Sequence, residues 1–214
     1  MPLSRFHAHW SGPHAAIARD LPGLVWYVQN HVMRPLRRPP GQFSPGQFGD
    51  VHGIAEIAFR DPGALRNTIE SWVRLDELRE DENRFVGSRI GNWSRLVDDP
   101  PDVSQRRIIV LLGRPDGATD PIPGDRMSAA VEAIRAVVPC HAEETTNEPP
   151  APGDAAGPDW FIFAELPSAG NVDDLSSPEG PILRHLDAIG APAAAYLVYA
   201  EAKRLPGDAP EHGS

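Results

Sequence analysis

The chain has 214 residues and a formal net charge of −10, with 41% hydrophobic and 23% charged residues. This length suits two small domains, and this composition is ordinary for a chain that buries a core, so a collagenous, fibrous or wholly disordered protein is excluded. Residues 106–214 carry 17 acidic against 8 basic residues, and we therefore expect no nucleic acid partner.

Neither a membrane span nor a signal peptide is predicted. No apolar run approaches the roughly 18 residues that a bilayer requires, and the N-terminus lacks the basic start and apolar centre of a secretory signal. We therefore expect a cytoplasmic protein without membrane contact. Cys140 is the only cysteine, which rules out an internal disulfide and favours a buried, unreactive thiol.

The sequence VDDPPDVSQRR at 97–107, with its paired acids and prolines, separates two patterned regions. We predict one α+β unit over residues 1–100 and a second over residues 105–206. Residues 207–214 are predicted to be a disordered tail.

The first region predicts the order α, β, β, α, β. An N-terminal helix is kinked at Ser11–Pro13, the segments LVWYVQNHV and VHGIAEIAF are strands rich in β-branched and aromatic residues, and NWSRLV is a closing strand. Asp61 and Pro62 are typical of a helix start. The apolar stripes of the two helices are Phe6, Trp10, Ile17 and Leu21 in the first, and Leu65, Ile69, Trp72 and Leu75 in the second.

The second region predicts the order β, α, β, β, α, β. Its strands are RRIIVLLGR, CHAEETT, DWFIFAEL and AAAYLVYAEAK, and its helices begin near Ser128 and Ser177. The two orders agree except for a missing opening strand in the first region, which indicates an internal duplication of a ferredoxin-like unit. The residues expected to face inward from the helices are Val131, Ile134, Val137, Ile182, Leu183, Leu186 and Ile189.

His14 is the strongest catalytic candidate, because an imidazole on a helix that faces a sheet can act as a general acid or base near neutral pH. The alternative is a core histidine bonded to the backbone. Strand alternation places Tyr27, Gln29 and His31 on one face, with Trp26 and Asn30 on the other.

We predict a single pocket built from the first helix and the strand that follows it. His14 moves a proton and Tyr27 orients a substrate oxygen, while Trp10 and Trp26 form apolar walls. Gln29, Asn30 and His31 supply polar contacts to the substrate. The alternative for the polar strand face is simple solvation.

Residues 33–50 form a connection much longer than an ordinary hairpin loop. Arg37 and Arg38 could hold a substrate carboxylate and Phe43 could stack on an aromatic ring, as parts of a lid. A surface loop with no role in binding is the alternative.

Several motifs occur together in one order. They are Phe6, the pair Trp10 and His14 spaced as W-x-x-x-H, LPGL at 21–24, YVQNH at 27–31, GIAEIAF at 53–59 and DENRF at 81–85. Over about residues 2–99 the chain resembles the EthD family of dimeric α+β barrel proteins. The second region lacks W-x-x-x-H and Y-x-Q-N-H and looks like a degenerate copy.

The resemblance implies two tandem ferredoxin-like units that pair as an α+β barrel pseudo-dimer within one chain, or else a homodimer. In the family a strand precedes the first helix, so we expect the natural gene to encode about ten further residues upstream of Met1, enough for a strand and a turn.

For function, the resemblance implies a small-molecule substrate and no cofactor. A proton-transfer enzyme acting on an aromatic, polyketide or lactone-like compound is favoured. A non-catalytic binding or accessory protein is the alternative, and a haem-binding barrel a third class. No metal site is expected.

Overall fold

The structure, a computed structural model, is an α+β protein whose described strands pair in antiparallel fashion, as predicted. Every helix in the described part of the chain is too short or too polar to span a bilayer. The predicted tail lies outside the described residues. These residues are 1–37, 51–60, 71–87, 94, 105–113, 122–145, 158–168, 172–175, 177, 179–187, 189–190, 193–203 and 205.

The chain divides into two compact units. The domain boundary expected near residue 100 stays a prediction. The first unit includes a segment that follows residue 200, and the second unit includes a segment that precedes residue 52. The first unit comprises Met1–His31, His52–Ser88 and Glu201–Ser214, and the second comprises Val32–Val51 and Arg89–Ala200.

The first unit begins with three consecutive helical segments: α1 (Leu3–His9), a π-helical turn (Trp10–His14) and α2 (Ala15–Ala18). Pro13 lies inside the π-helical turn. Because proline lacks an N–H group and its ring crowds the preceding turn, the helix accommodates it by widening locally. The irregularity predicted at Ser11–Pro13 is present as this π-helical turn.

Strand β1 (Leu24–Arg37) pairs antiparallel with β2 (Gly53–Phe59) in the first unit. The register sets Tyr27 opposite Ile57 and His31 opposite Gly53. A further helix, α3 (Leu75–Phe85), carries acidic residues in its first turn, where they interact favourably with the helix dipole. The helix predicted from Asp61 lies largely outside the described residues, as does the strand predicted around NWSRLV.

Among the described residues from 105 to 202 there are four strands and three helices, in the predicted order β, α, β, β, α, β with one additional short helix. These strands lie in the order β6-β3-β5-β4, and each neighbouring pair is antiparallel. The elements are β3 (Arg106–Leu112), α4 (Gly124–Arg135), β4 (Cys140–Glu144), β5 (Trp160–Glu165), α5 (Val172–Leu175), α6 (Pro181–Asp187) and β6 (Ala193–Ala202).

The core of the second unit lies between one face of its sheet and the helices. Alternate residues of β3 enter this core, together with six of the seven inward positions predicted for the helices. Val137 is the exception: it is 38% exposed, because α4 ends at Arg135 and Val137 lies beyond its last turn. The members predicted correctly are Val131, Ile134, Ile182, Leu183, Leu186 and Ile189.

Candidate functional site

His14 is the last residue of the π-helical turn and is only 7% exposed. Its Nδ1 atom lies 3.0 Å from Oδ2 of Asp81, a buried residue of α3. The other oxygen of Asp81, Oδ1, lies 2.8 Å from Nε2 of His9. One buried carboxylate therefore contacts two imidazole rings, one at each of its oxygen atoms. The partner of His14 is a side chain, whereas the core-histidine alternative predicted a backbone group.

The electrostatics of this pair define the state of His14. Burial lowers the pKa of His14 below 6.5, although the hydrogen bond that His14 donates to Asp81 and the charge of Asp81 act in the opposite direction. The imidazole is therefore neutral at pH 7. Because a carboxylate only accepts hydrogen bonds, Nδ1 of His14 carries the proton and Nε2 keeps a lone pair. Such an imidazole is equipped to act as a general base.

Tyr27 and Gln29 form a second buried polar group on β1. Nε2 of Gln29 donates to the Tyr27 hydroxyl oxygen at 2.6 Å and to the Trp10 carbonyl at 2.8 Å. Burial raises the pKa of Tyr27 to about 12, although its side-chain hydrogen bonds with Gln29 and Trp10 act in the opposite direction. Tyr27 thus remains a phenol at neutral pH. Its hydrogen bond leads to Gln29 and that of His14 to Asp81, so the two predicted catalytic residues belong to different networks.

Trp10 packs between the N-terminal helix and β2. A Cβ atom at Gly53 would lie 2.3 Å from Cζ3 of Trp10, so a glycine is required at the start of GIAEIAF. The indole also contacts the rings of Phe6 at 5.6 Å and His31 at 4.9 Å. The Trp10 ring is therefore covered by neighbours of the same unit, and its role as an apolar wall of a substrate pocket stays a prediction.

His31 is buried on the same strand face as Tyr27, at the last position where β1 pairs with β2. Its ring lies 4.9 Å from that of His7, and its Nε2 atom lies 3.4 Å from Oε2 of Glu201. Burial, and then the nearby His7, lower the pKa of His31, with the charge of Glu201 opposing them. His31 is therefore a neutral imidazole at pH 7.

Asn30 and Trp26 lie on the opposite face of β1, as the alternation predicts. Nδ2 of Asn30 donates to Oε1 of Glu56 at 2.6 Å and to the Ile54 carbonyl at 3.1 Å. Trp26 is half-buried opposite Ala58. The residues predicted for one pocket are thus divided between the two faces of the strand.

Residues 1–89 match the family model for the EthD domain. The chain contains an EthD domain. The resemblance drawn from the motifs is confirmed over this range, which includes His14, Tyr27 and Asp81. Neither a comparison with curated proteins nor one with solved structures gives a significant match.

Of the two arginines predicted to hold a substrate carboxylate, Arg37 is the last residue of β1, so the strand extends into the segment that was predicted to be a loop from residue 33. Nη2 of Arg37 lies 2.9 Å from Oδ1 of Asp187 and donates to the Leu183 carbonyl at 3.2 Å, both in the second unit. The Arg37 guanidinium is thus already engaged with a carboxylate. Arg38 and Phe43 lie outside the described residues, and their roles in binding stay predictions.

Sequence reasoning gave no role to Asp81 or His9 in the EthD domain, although Asp81 lies in the DENRF motif. His9 and His14 are five residues apart, a spacing that does not share a face in an α-helix but does in a π-helical turn. The Ser11–Pro13 kink was therefore the signal that could have paired them. Within the described residues, no group of three or more His, Cys, Asp or Glu side chains is arranged to hold a metal ion.

Proposed function

We propose that this EthD-domain protein is a cofactor-independent enzyme of small-molecule metabolism that catalyses a proton transfer. The reaction is a cyclisation, isomerisation or elimination on an aromatic, polyketide or lactone-like substrate. The observation that carries the proposal is the buried pair of His14 and Asp81, in which Nδ1 and Oδ2 are 3.0 Å apart.

In the proposed reaction Nε2 of His14 takes a proton from a carbon atom beside a substrate carbonyl group. The electrons of the broken C–H bond move onto the carbonyl oxygen, which becomes an enolate. Asp81 stabilises the imidazolium that forms, and His14 then returns the proton to a different atom. Tyr27 keeps its hydroxyl proton at neutral pH and is suited to donate it in a hydrogen bond to an enolate oxygen.

One observation favours a second candidate, a non-catalytic protein that binds or carries a small molecule. His14 is almost fully buried, and its ring packs 5.0 Å from that of Phe85, so a substrate could reach Nε2 only after the helices move. A binding protein would use the same histidine purely to join the π-helical turn to α3.

The two candidates are separated by exchange of carbon-bound protons with solvent. A panel of enolisable aromatic, polyketide and lactone compounds is incubated with the protein in D₂O, and deuterium uptake is followed by NMR. We expect His14→Gln to slow the catalysed exchange roughly a hundredfold to ten-thousandfold, the contribution of a positioned general base. His185→Gln, on α6 of the second unit, is the matched control and should exchange at the wild-type rate.

Exchange that persists at the wild-type rate in His14→Gln would remove His14 from the catalytic machinery. Binding of panel compounds without any exchange would favour the binding protein. The thermal midpoints of both variants are measured in parallel, because a change in midpoint alone reports a structural role for His14.

The proposal for the architecture is that the second unit is a ferredoxin-like copy of the EthD domain and that the two pair as a barrel within one chain. Its support is the order β, α, β, β, α, β and the antiparallel sheet of the second unit. Light scattering should then give a monomer of 23.3 kDa. A mass of two chains would favour the homodimer instead.

A further inference from the structure

An open cleft of about 220 Å³ lies on the first unit, beside the π-helical turn and the end of β6. Three of its lining residues have side chains no larger than a methyl group, so no large side chain fills the space beside this helical segment. The cleft is lined by Ser11, Gly12, Ala15, Ala16, Arg19, Glu201 and Lys203. None of these belongs to the His14–Asp81 pair.

Lys203, the only lysine of the chain, is largely buried at this cleft. Its Nζ atom donates to the Ser11 carbonyl and to the Ser11 hydroxyl, each at 3.0 Å, and it lies 2.5 Å from Oε1 of Glu201. The ammonium group is therefore held in one place by three contacts. It contributes a fixed positive charge to the wall of the cleft.

Glu201 contributes the only negative charge among the lining residues, and that charge is already compensated. Oε1 pairs with Lys203, and Oε2 accepts a hydrogen bond from the Ser11 hydroxyl at 2.7 Å. Burial opposes ionisation of Glu201, but the hydrogen bonds from Lys203 and Ser11 and the charge of Lys203 outweigh it and lower the pKa. Glu201 and Lys203 thus form a neutral pair.

Arg19 is the remaining charged group of the cleft. Its side chain is half exposed, and its Nε atom lies 4.0 Å from Oδ1 of Asp20, beyond hydrogen-bond distance. The other oxygen of Asp20, Oδ2, makes a close ion pair with Arg74, which competes with Arg19 for this carboxylate. The cleft therefore carries a net positive charge on a guanidinium that has room for a second partner.

We infer that this cleft is a binding site for a small oxyanion, with Arg19 as the residue that recognises it. A guanidinium fork matches the geometry of a carboxylate or phosphate group and can bind it through two parallel hydrogen bonds. The small residues Gly12 and Ala16 leave space for the part of the ligand that does not contact Arg19. The cleft volume of about 220 Å³ limits this part to roughly one ring. The site does not depend on proton transfer by His14.

Calorimetry on the full chain tests the site with three probes: benzoate, inorganic phosphate and benzamide, which is the neutral counterpart of benzoate. We expect benzoate or phosphate to bind and benzamide not to bind. Arg19→Gln should weaken the binding roughly tenfold to a hundredfold, the effect of losing a charge-assisted hydrogen bond. Arg84→Gln, another exposed arginine of the first unit, is the matched control and should bind as the wild type does.

A second variant tests the space rather than the charge. Ala16 is exposed, so Ala16→Leu should fold normally, fill the cleft and block the same probe.

Binding of benzoate alone identifies an organic acid as the ligand class, and binding of phosphate alone identifies a phosphorylated one. Absence of binding by both anions, equal binding of benzamide, or unchanged binding in both variants would overturn the site. His14→Gln should bind as the wild type does, so a loss of proton exchange and a loss of anion binding are separate results.

Discussion

Oδ2 of Asp81 and Nδ1 of His14 lie 3.0 Å apart in the buried part of the EthD domain, and this contact joins the N-terminal helices to α3. The two residues are 67 positions apart in the chain. The other oxygen of this carboxylate, Oδ1, contacts Nε2 of His9, so Asp81 fixes the orientation of both rings. The pair is therefore both a structural contact and the basis of the proposed proton transfer.

The first prediction is that Asp81→Asn lowers the free energy of unfolding by about 1–3 kcal/mol, since it replaces a charged acceptor shared by two imidazoles. The pKa of His14 should fall further, because Asp81 is the group that raises it against the effect of burial. Urea denaturation measures the stability, and histidine NMR titration measures the pKa.

Asp76→Asn is the matched control for Asp81→Asn, because Asp76 lies on the same helix with its side chain 94% exposed. Its substitution should change the stability by less than about 0.5 kcal/mol. Equal effects of the two substitutions would contradict the role assigned to Asp81.

The second prediction concerns the close contact of Gly53 with Trp10. The methyl group of Gly53→Ala would lie 2.3 Å from Cζ3 of Trp10, so the indole must move out of its site. We expect a loss of about 1–3 kcal/mol, the usual effect of overpacking, and a shift in tryptophan fluorescence. Gly87→Ala is the control, because a Cβ at Gly87 meets no atom within 4 Å. A Gly53→Ala protein as stable as this control would contradict the packing described.

Local patterns predicted the described strands β1 to β6, because alternation and β-branched residues act over a few neighbours. The helix irregularity at Ser11–Pro13 was also predictable, since proline affects its own turn. The helix α3 was not predicted over Leu75–Phe85, where the strongly polar sequence LDELREDENRF buries only Leu78 and Asp81. A helix that is polar over most of its surface has few apolar side chains to mark it in the sequence.

The candidate site was predictable as far as single residues, but not as far as their partners. His14 and Tyr27 were identified from residue type and spacing, whereas Asp81 reaches His14 through tertiary contact between elements far apart in the chain. The cleft depends on Glu201 and Lys203, at the end of the last strand, which meet Ser11 only in the folded protein. No local pattern carries that information.

The third prediction concerns the buried ion pair of the second unit. Nε of Arg107 lies 2.6 Å from Oε1 of Glu165, and Cζ of Arg107 lies 5.0 Å from the ring centroid of Phe163. Glu165→Ala leaves the fully buried Arg107 guanidinium without this carboxylate, and we expect a loss of about 3–5 kcal/mol in urea denaturation.

Glu80→Ala provides the comparison for Glu165→Ala, since Glu80 pairs with Arg84 at 3.6 Å on the surface of α3. Exposed pairs contribute little, so a loss below about 1 kcal/mol is expected. A Glu165→Ala protein no less stable than Glu80→Ala would show that the buried pair is not the stabilising contact proposed.

The fourth prediction is a pH dependence of stability that arises from His141. Burial first, and then the charges of Arg107 and Arg135, lower the pKa of His141 to about 4, and its ring stacks on Phe163 at 4.7 Å. The unfolded chain has a histidine pKa near 6.5 and binds the proton first as the pH falls. The stability contributed by the neutral ring is therefore complete above about pH 6.5 and is lost as the pH falls toward about 4.

Urea denaturation from pH 8 to pH 4.5 measures this loss in the wild type and in His141→Gln. The variant cannot take up the proton, so its stability should fall less over this range, by roughly 1–3 kcal/mol. Burial also lowers the pKa of His14 and His31, which act in the same direction and leave a residual pH dependence in the variant. Identical pH profiles for the two proteins would mean that His141 is protonated equally readily in the folded and unfolded states, against the burial and stacking described for it.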